Sequence, residues 1–335
     1  PNYSIKKEIF SLLENKALKY SVHLYFDDVL FVINTNSNKL QETLTTYFYD
    51  FLESHISLNK KIIINAIETD STKLLTNHSF TVKQPDPGKK KIKEEYVDFP
   101  DGRIVRKRLT DMIFLFGQGS NLVIGPCEKN SNQVINFINN RYIQHQIDNN
   151  YILGHASAID INGCGIAIAG FSGTGKSTLA LHLMNHDANF VSNDRLLIKL
   201  KNNILMMSGI AKLPRINPGT VLHNQSLQNA VPKEDYNSFK DIPGDEIWSI
   251  EKKYDVYIDR IFGPEKFKLN SEMRGLIILN WEHSTRLCSI NEINIYNRKD
   301  LLDALIKSPG LFYEPYDVDI EKVFSEENYI FHLKQ

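Results

Sequence analysis

Residues 170–177 read Gly-Phe-Ser-Gly-Thr-Gly-Lys-Ser, which is glycine, four residues, then Gly-Lys and a hydroxyl residue. Each part of that spacing has a physical reason. Gly173 and Gly175 allow a tight turn in which no Cβ keeps phosphate oxygens away, so successive N–H groups can point inward as an anion nest. A helix beginning near Lys176 adds unsatisfied N–H groups and the positive end of its dipole. Lys176 then supplies a mobile cation for the outer phosphates, and the Ser177 hydroxyl can ligate a Mg²⁺ ion bridging them. The expected nucleotide-binding set is Gly170, Ser172, Gly173, Thr174, Gly175, Lys176, Ser177 and Thr178. Chance would place the four fixed positions in a chain this long on the order of one time in a hundred. A motif of this kind identifies a nucleotide and leaves the reaction open, because ATPases, GTPases and kinases share it.

Three further residues fall near the loop in the expected fold. Asp194 follows the apolar run Ala188–Val191 only 18 residues after Lys176, on what reads as the neighbouring strand. Ligands of α/β sheets gather at the carboxyl ends of strands, so Asp194 is expected to face the terminal phosphate. His155 lies in the first half of an expected strand over 152–161 that turns into the loop strand 165–169, which brings it to the same end of the sheet. Arg215, in Lys212-Leu213-Pro214-Arg215-Ile216, could neutralise charge on a transferring phosphoryl group.

The run from His155 through Gly165, the stretch 170–184 and the segment Phe190–Leu196 together resemble the catalytic core of HPr kinase/phosphorylase, and more closely the HPr-kinase-related kinases of bacteria. The resemblance covers about 50 residues, 153–200. It implies an α/β fold akin to phosphoenolpyruvate carboxykinase, a P-loop kinase core on a mixed sheet that uses ATP and Mg²⁺ to phosphorylate a serine on a protein or peptide. By the resemblance, Lys176 binds phosphate, Ser177 holds Mg²⁺, Asp194 is the general base and is counted with the metal ligands, and His155 belongs to the active site. Glu272, in Glu272-Met273-Arg274-Gly275, resembles a later signature whose acid can join the metal, although it lies 96 residues after Lys176. The family usually carries two adjacent aspartates where this chain has Asn193-Asp194, so one negative charge is missing and the reverse, dephosphorylating reaction is in doubt. Two rivals stay open: a P-loop ATPase or nucleotide-dependent regulator without an acceptor, and a small-molecule kinase of the same fold.

The elements that must position these residues divide the chain in two. Before 150, hairpins at 22–34 and 96–106, a strand at 61–67, a strand pair at 112–124 and helices at 38–53 and 131–148 read as an α+β domain, 1–149, of unknown role, with substrate choice and homo-oligomerisation both open. From 150 to 335 apolar strands alternate with helices, the mark of an α/β core, with strands also expected at 275–280 and 286–294 and a helix at 298–307. The 335 residues are 42% hydrophobic and 24% charged, the composition of a folded globular protein. Lys plus Arg (39) and Asp plus Glu (40) nearly cancel, which argues against nucleic acid or a membrane surface as partner. The basic cluster Lys89, Lys90, Lys91 and Lys93 is followed at once by acids and reads as a solvated loop. Three separated cysteines and the absence of a long apolar run fit a cytoplasmic protein.

Overall fold

Two asparagine-bearing turns show how the sequence writes its sheets. Asn162-Gly163 and Asn202-Asn203 all have positive φ, and each pair joins strands whose last partners are Ile161 with Cys164 and Lys201 with Ile204. Two-residue loops of this handedness match the right-handed twist of the strands they connect. The structure, a computed structural model, describes residues 2–14, 16–52, 60–85, 90–117, 119–244, 246–280, 288–307, 310–312 and 320–333. It divides into two compact units, Pro1–His145 with Pro309–Ile320, and Gln146–Ser308 with Glu321–Gln335. No described helix is long and apolar enough to cross a membrane.

The first unit holds a mixed sheet of eight strands in the order Tyr20–Phe26, Val29–Thr35, Lys60–Glu68, Ser120–Gly125, Met112–Gly117, Gly102–Lys107, Glu94–Phe99 and Thr81–Val82. Parallel pairing joins the second strand to the third and the third to the fourth, and the other pairs are antiparallel. Ser37 caps helix Asn38–Tyr47 by accepting from the Leu40 N–H, and helix Ser131–Asp148 buries Val134, Phe137, Ile138, Tyr142 and Ile143. Lys90, Lys91 and Lys93 are exposed, as a solvated loop requires, while Lys89 lies outside the described residues.

The second unit is built on a mixed seven-stranded sheet. Its order is Asn189–Ser192, Ala156–Ile161, Cys164–Gly170, Asn270–Leu279, Ile204–Ser208, Leu196–Lys201 and Ile152–Gly154. Only Cys164–Gly170 and Asn270–Leu279 run parallel. Alanines 156, 158, 167 and 169 are fully buried in its core with Val191, Leu196, Ile198, Met207, Leu305 and Tyr329. Two expectations need correction here. The strand expected over 152–161 is broken at His155, and the strand bearing Asp194 is not the loop strand's neighbour, since Ala156–Ile161 lies between them.

The break carries a consequence for shape within this unit. Gly154 belongs to the last strand of the order and Ala156 to the second, yet one residue separates them. A second short link, Asn193-Asp194-Arg195, spans from the first strand to the sixth. The sheet must therefore roll until its two ends nearly meet, and His155 and Asp194 are the residues in the two crossings. The crossings are fixed by polar contacts: the His155 N–H donates to the Leu305 carbonyl at 2.6 Å, the Ser157 hydroxyl to the Asn193 carbonyl, and the Ser192 hydroxyl to the Arg195 carbonyl.

Near the chain end the alternation of apolar residues over-predicts order. Residues 288–294 form no strand, because Ile290 and Ile293 are exposed and have no face to cover, and 286–287 lie outside the described residues. The expected helix at 298–307 is a 3₁₀ stretch, Lys299–Ala304.

Candidate active site

Strand Cys164–Gly170 runs directly into the loop 171–175 and helix Lys176–Leu183. Gly173 (φ 84°) and Gly175 (φ 92°) both adopt the left-handed conformation, which other residues enter only with strain. Gly175 is the N-cap of the helix and offers no side chain, so no side-chain acceptor covers the first N–H groups. The Thr174 hydroxyl donates to the Phe171 carbonyl at 2.9 Å and ties the loop across its base. Ser172 and Gly173 are exposed, while Ser177 and Thr178 are half-buried. Thr178 has a partner of its own, the Thr220 hydroxyl at 3.1 Å.

Lys176 is 8% exposed. Its ammonium folds back to donate to the carbonyls of Gly170 at 2.7 Å and Phe171 at 3.1 Å. Burial pushes its pKa down, and the charge of Asp194 opposes that shift, so the two groups lie within electrostatic reach.

Asp194 sits just beyond the carboxyl end of strand Asn189–Ser192. That strand is antiparallel to Ala156–Ile161, which is antiparallel to the loop strand, so the acid and the loop share one end of the sheet. His155 Nε2 lies 3.0 Å from Asp194 Oδ1, and Arg195 pairs with Oδ2. Burial acts to raise the Asp194 pKa, but the His155 hydrogen bond and the charges of Arg195, His155 and Lys212 outweigh it and hold the carboxyl well below the usual range. Asp194 is therefore an anion throughout the neutral range.

A stability prediction follows from the sign of that shift. The folded pKa is depressed, so the ionised carboxylate contributes stability that is complete above the unfolded value of about 3.9 and is lost as pH falls through the folded value. The melting-temperature difference between wild type and Asp194→Asn should stay constant from pH 7 to about 5 and shrink toward pH 3. Paired thermal melts check it, and a difference that grows with acid would contradict the ion-pair account.

Four sequence-derived candidates thus come together: the loop, Lys176, Asp194 and His155. Arg215 reaches the edge of the group. It is exposed, lies 3.5 Å from Asp255 in the short ladder Arg215–Ile216 with Tyr254–Asp255, and acts on Lys212 through its charge. Glu272 is not brought in. Parallel register sets Gly165 opposite Met273 and Gly170 opposite Leu279, so Glu272 lies at the far end of the loop strand, about 20 Å of strand away from the loop. There it pairs with Arg274 at 2.7 Å and lines a cavity of about 530 Å³ with Asp160, Lys266, Lys268 and Ser271.

Sequence reasoning passed over Lys212 as context for Arg215. Lys212 is half-buried and within electrostatic reach of Asp194, whereas Arg215 is exposed. No local signal separates two cations three residues apart. The distinction arises because Gly209 packs against the end of the Asp194 strand, where a Cβ would run into the Val191 carbonyl. Gly209→Ala should therefore displace this segment and cost about 1–3 kcal/mol, read as a lower melting temperature. An unchanged melt would show that the segment is free to move.

A metal would find oxygen donors at this end of the sheet: the Ser177 hydroxyl, the ionised Asp194, and Asn193 Oδ1, which is buried without a hydrogen-bond partner. Mg²⁺ suits such a set, since it takes one or two carboxylates and completes its shell with water and substrate phosphates. Among the described residues no group of three or more His, Cys, Asp or Glu side chains converges.

Comparison with known proteins agrees on where the recognisable segment lies. Residues 149–214 match the family described as the HPr Serine kinase C-terminal domain. No curated protein matches the chain. A solved structure that matches is that of the Hpr(Ser) kinase/phosphatase from Coxiella burnetii, with 21% identity over 41% of this chain and 65% of that chain and a TM-score of 0.26. Over residues 149–214, which include His155, the loop and Asp194, the chain is HPr kinase-like.

Proposed function

We propose that the chain is an ATP-dependent kinase with a P-loop core of the phosphoenolpyruvate carboxykinase type, which transfers the γ-phosphoryl group to a serine hydroxyl of a protein or peptide. The observation that carries this reading is the placement of Asp194. An ionised carboxylate, oriented by His155, stands at the same sheet end as the glycine loop and within electrostatic reach of Lys176. A phosphate-binding loop alone binds a nucleotide, whereas an anion at this place can take a proton from an attacking hydroxyl, and the match of residues 149–214 to the HPr Serine kinase C-terminal domain favours a serine over water.

In the proposed reaction the loop N–H groups and Lys176 hold the outer phosphates of ATP. Asp194 accepts the proton of the acceptor hydroxyl as its oxygen forms a bond to the γ-phosphorus. The bond from that phosphorus to the β,γ-bridging oxygen breaks, and ADP leaves. Bound Mg²⁺, held by Ser177 and Asp194, would supply charge neutralisation at the phosphates. His155 keeps Asp194 oriented and ionised before the acceptor arrives. A low pKa makes Asp194 a weak base at rest, and an incoming hydroxyl that displaces His155 or Arg195 from a carboxylate oxygen strengthens it.

The deciding experiment incubates the full chain with γ-labelled ATP, Mg²⁺ and a bacterial lysate. Label on a discrete protein or peptide, stable to acid and released by alkali in the manner of a serine phosphate ester, is the expected result. Release of inorganic phosphate alone would replace the kinase with an ATPase, and label on a metabolite would move the acceptor to a small alcohol. Composition near neutrality and unpaired Cys127, Cys164 and Cys288 support a cytoplasmic setting for this activity.

A further inference from the structure

Segment 208–214 leaves its strand and is pressed onto the end of the Asp194 strand. Gly209 has no room for a side chain against Val191 and Ser192, its N–H donates to the Leu269 carbonyl at 2.7 Å, and Ile210, Ala211 and Leu213 are buried. The Lys212 N–H closes a tight turn on the Ile210 carbonyl at 2.7 Å, and the Pro214 carbonyl accepts from Val256 at 2.9 Å. Lys212 therefore leaves a rigid, close-packed segment. Its half-buried side chain lies within electrostatic reach of Asp194 and Asp255, and of Arg195 and Arg215. Among the described residues the Lys212 ammonium makes no ion pair within 4.0 Å and no hydrogen bond.

A half-buried ammonium with no protein acceptor can take a ligand oxygen without first giving up an ion pair. The acidic partners nearby are already engaged: Asp194 holds His155 and Arg195, and Asp255 holds Arg215. Lys176 is engaged as well, with two loop carbonyls. Lys212 is left as the uncommitted charge beside the acid.

We propose that Lys212 is a second phosphate-binding cation of the site, reserved for the terminal phosphoryl group of the nucleotide, facing it from the Asp194 side while Lys176 holds it from the loop. This rests on the nucleotide-binding reading above and adds a residue and a division of labour. Lys176 serves whichever phosphates occupy the loop, so it acts on ADP and ATP alike. Lys212, on the acceptor side, meets only the third phosphate. A single carboxylate with an uncharged Asn193 beside it leaves Lys212 less neutralised than two carboxylates would, which keeps it available to the ligand.

Equilibrium titration of the full chain, in Mg²⁺, with ADP and with a non-hydrolysable ATP analogue tests the proposal. Lys212→Met should weaken the analogue at least tenfold, the loss expected for one hydrogen bond to a charged group, and leave ADP within twofold. Lys212→Arg should keep most of the analogue's affinity. Equal losses for both nucleotides, or no loss for either, would overturn the assignment of Lys212 while leaving the loop's role intact. Wild-type protein that binds neither nucleotide would overturn the nucleotide site itself, and with it Lys212. Should Lys212→Met fail to fold, Lys212→Gln carries the same comparison, with its unliganded melt as the check.

Discussion

Replacing Asp194 with asparagine is expected to lower the turnover number for phosphoryl transfer by about 10²–10⁴-fold, the usual contribution of a positioned general base. Asparagine keeps the size of the side chain and one oxygen facing His155 or Arg195, so the crossing that carries it should hold its course. The nucleotide should still bind, because the loop N–H groups and Lys176 belong to other elements. Rapid-quench measurement of transfer, beside equilibrium binding of nucleotide, separates the two effects. Turnover within threefold of wild type would remove Asp194 from the reaction. Loss of nucleotide binding with transfer falling in proportion would make it a binding residue instead.

Lys176→Ala is expected to abolish stabilisation by ATP. At a nucleotide concentration 100 times the dissociation constant, binding to the folded state contributes about 2.7 kcal/mol. For a unit of 150–250 residues each kcal/mol moves the melting temperature by roughly 2–4 °C, so the wild-type shift should be about 5–11 °C. The variant should show none. Its unliganded melt should also fall, since the carbonyls of Gly170 and Phe171 lose the donor that Lys176 provides. The readout is therefore the shift on adding ATP, measured against each protein's own baseline. A full shift in Lys176→Ala would place the nucleotide elsewhere.

Local chemistry made part of this site legible before any coordinates. Strand, turn and helix from Cys164 to Leu183 follow from an apolar run, glycines that must take positive φ and a helix-forming sequence, all within a few residues of one another. Helix Ser131–Asp148 and the hairpin Tyr20–Thr35 were legible for the same reason, because periodicity and turn residues are short-range signals. Sheet order is a long-range property. Nothing in residues 270–279 says that they will lie beside the loop strand in parallel register, and that register alone carries Glu272 away from Ser177. The same limit hid Lys212, whose inward course depends on Gly209 meeting a strand that ended 17 residues earlier. The exposed isoleucines 290 and 293 show the converse, an alternating pattern with no surface to bury against.

His155 and Asp194 hang from links of one and three residues between strands that are hydrogen-bonded on both sides of the gap. Their 3.0 Å approach is consequently dictated by strand pairing as well as by mutual attraction. On the proposed mechanism, grip and proton acceptor are heritable separately: a transplant of 164–183 into a foreign scaffold would carry the hold on phosphate and leave the base behind. Conversely, an evolving descendant could discard the acid by a single substitution and survive as a nucleotide sensor, its architecture undisturbed.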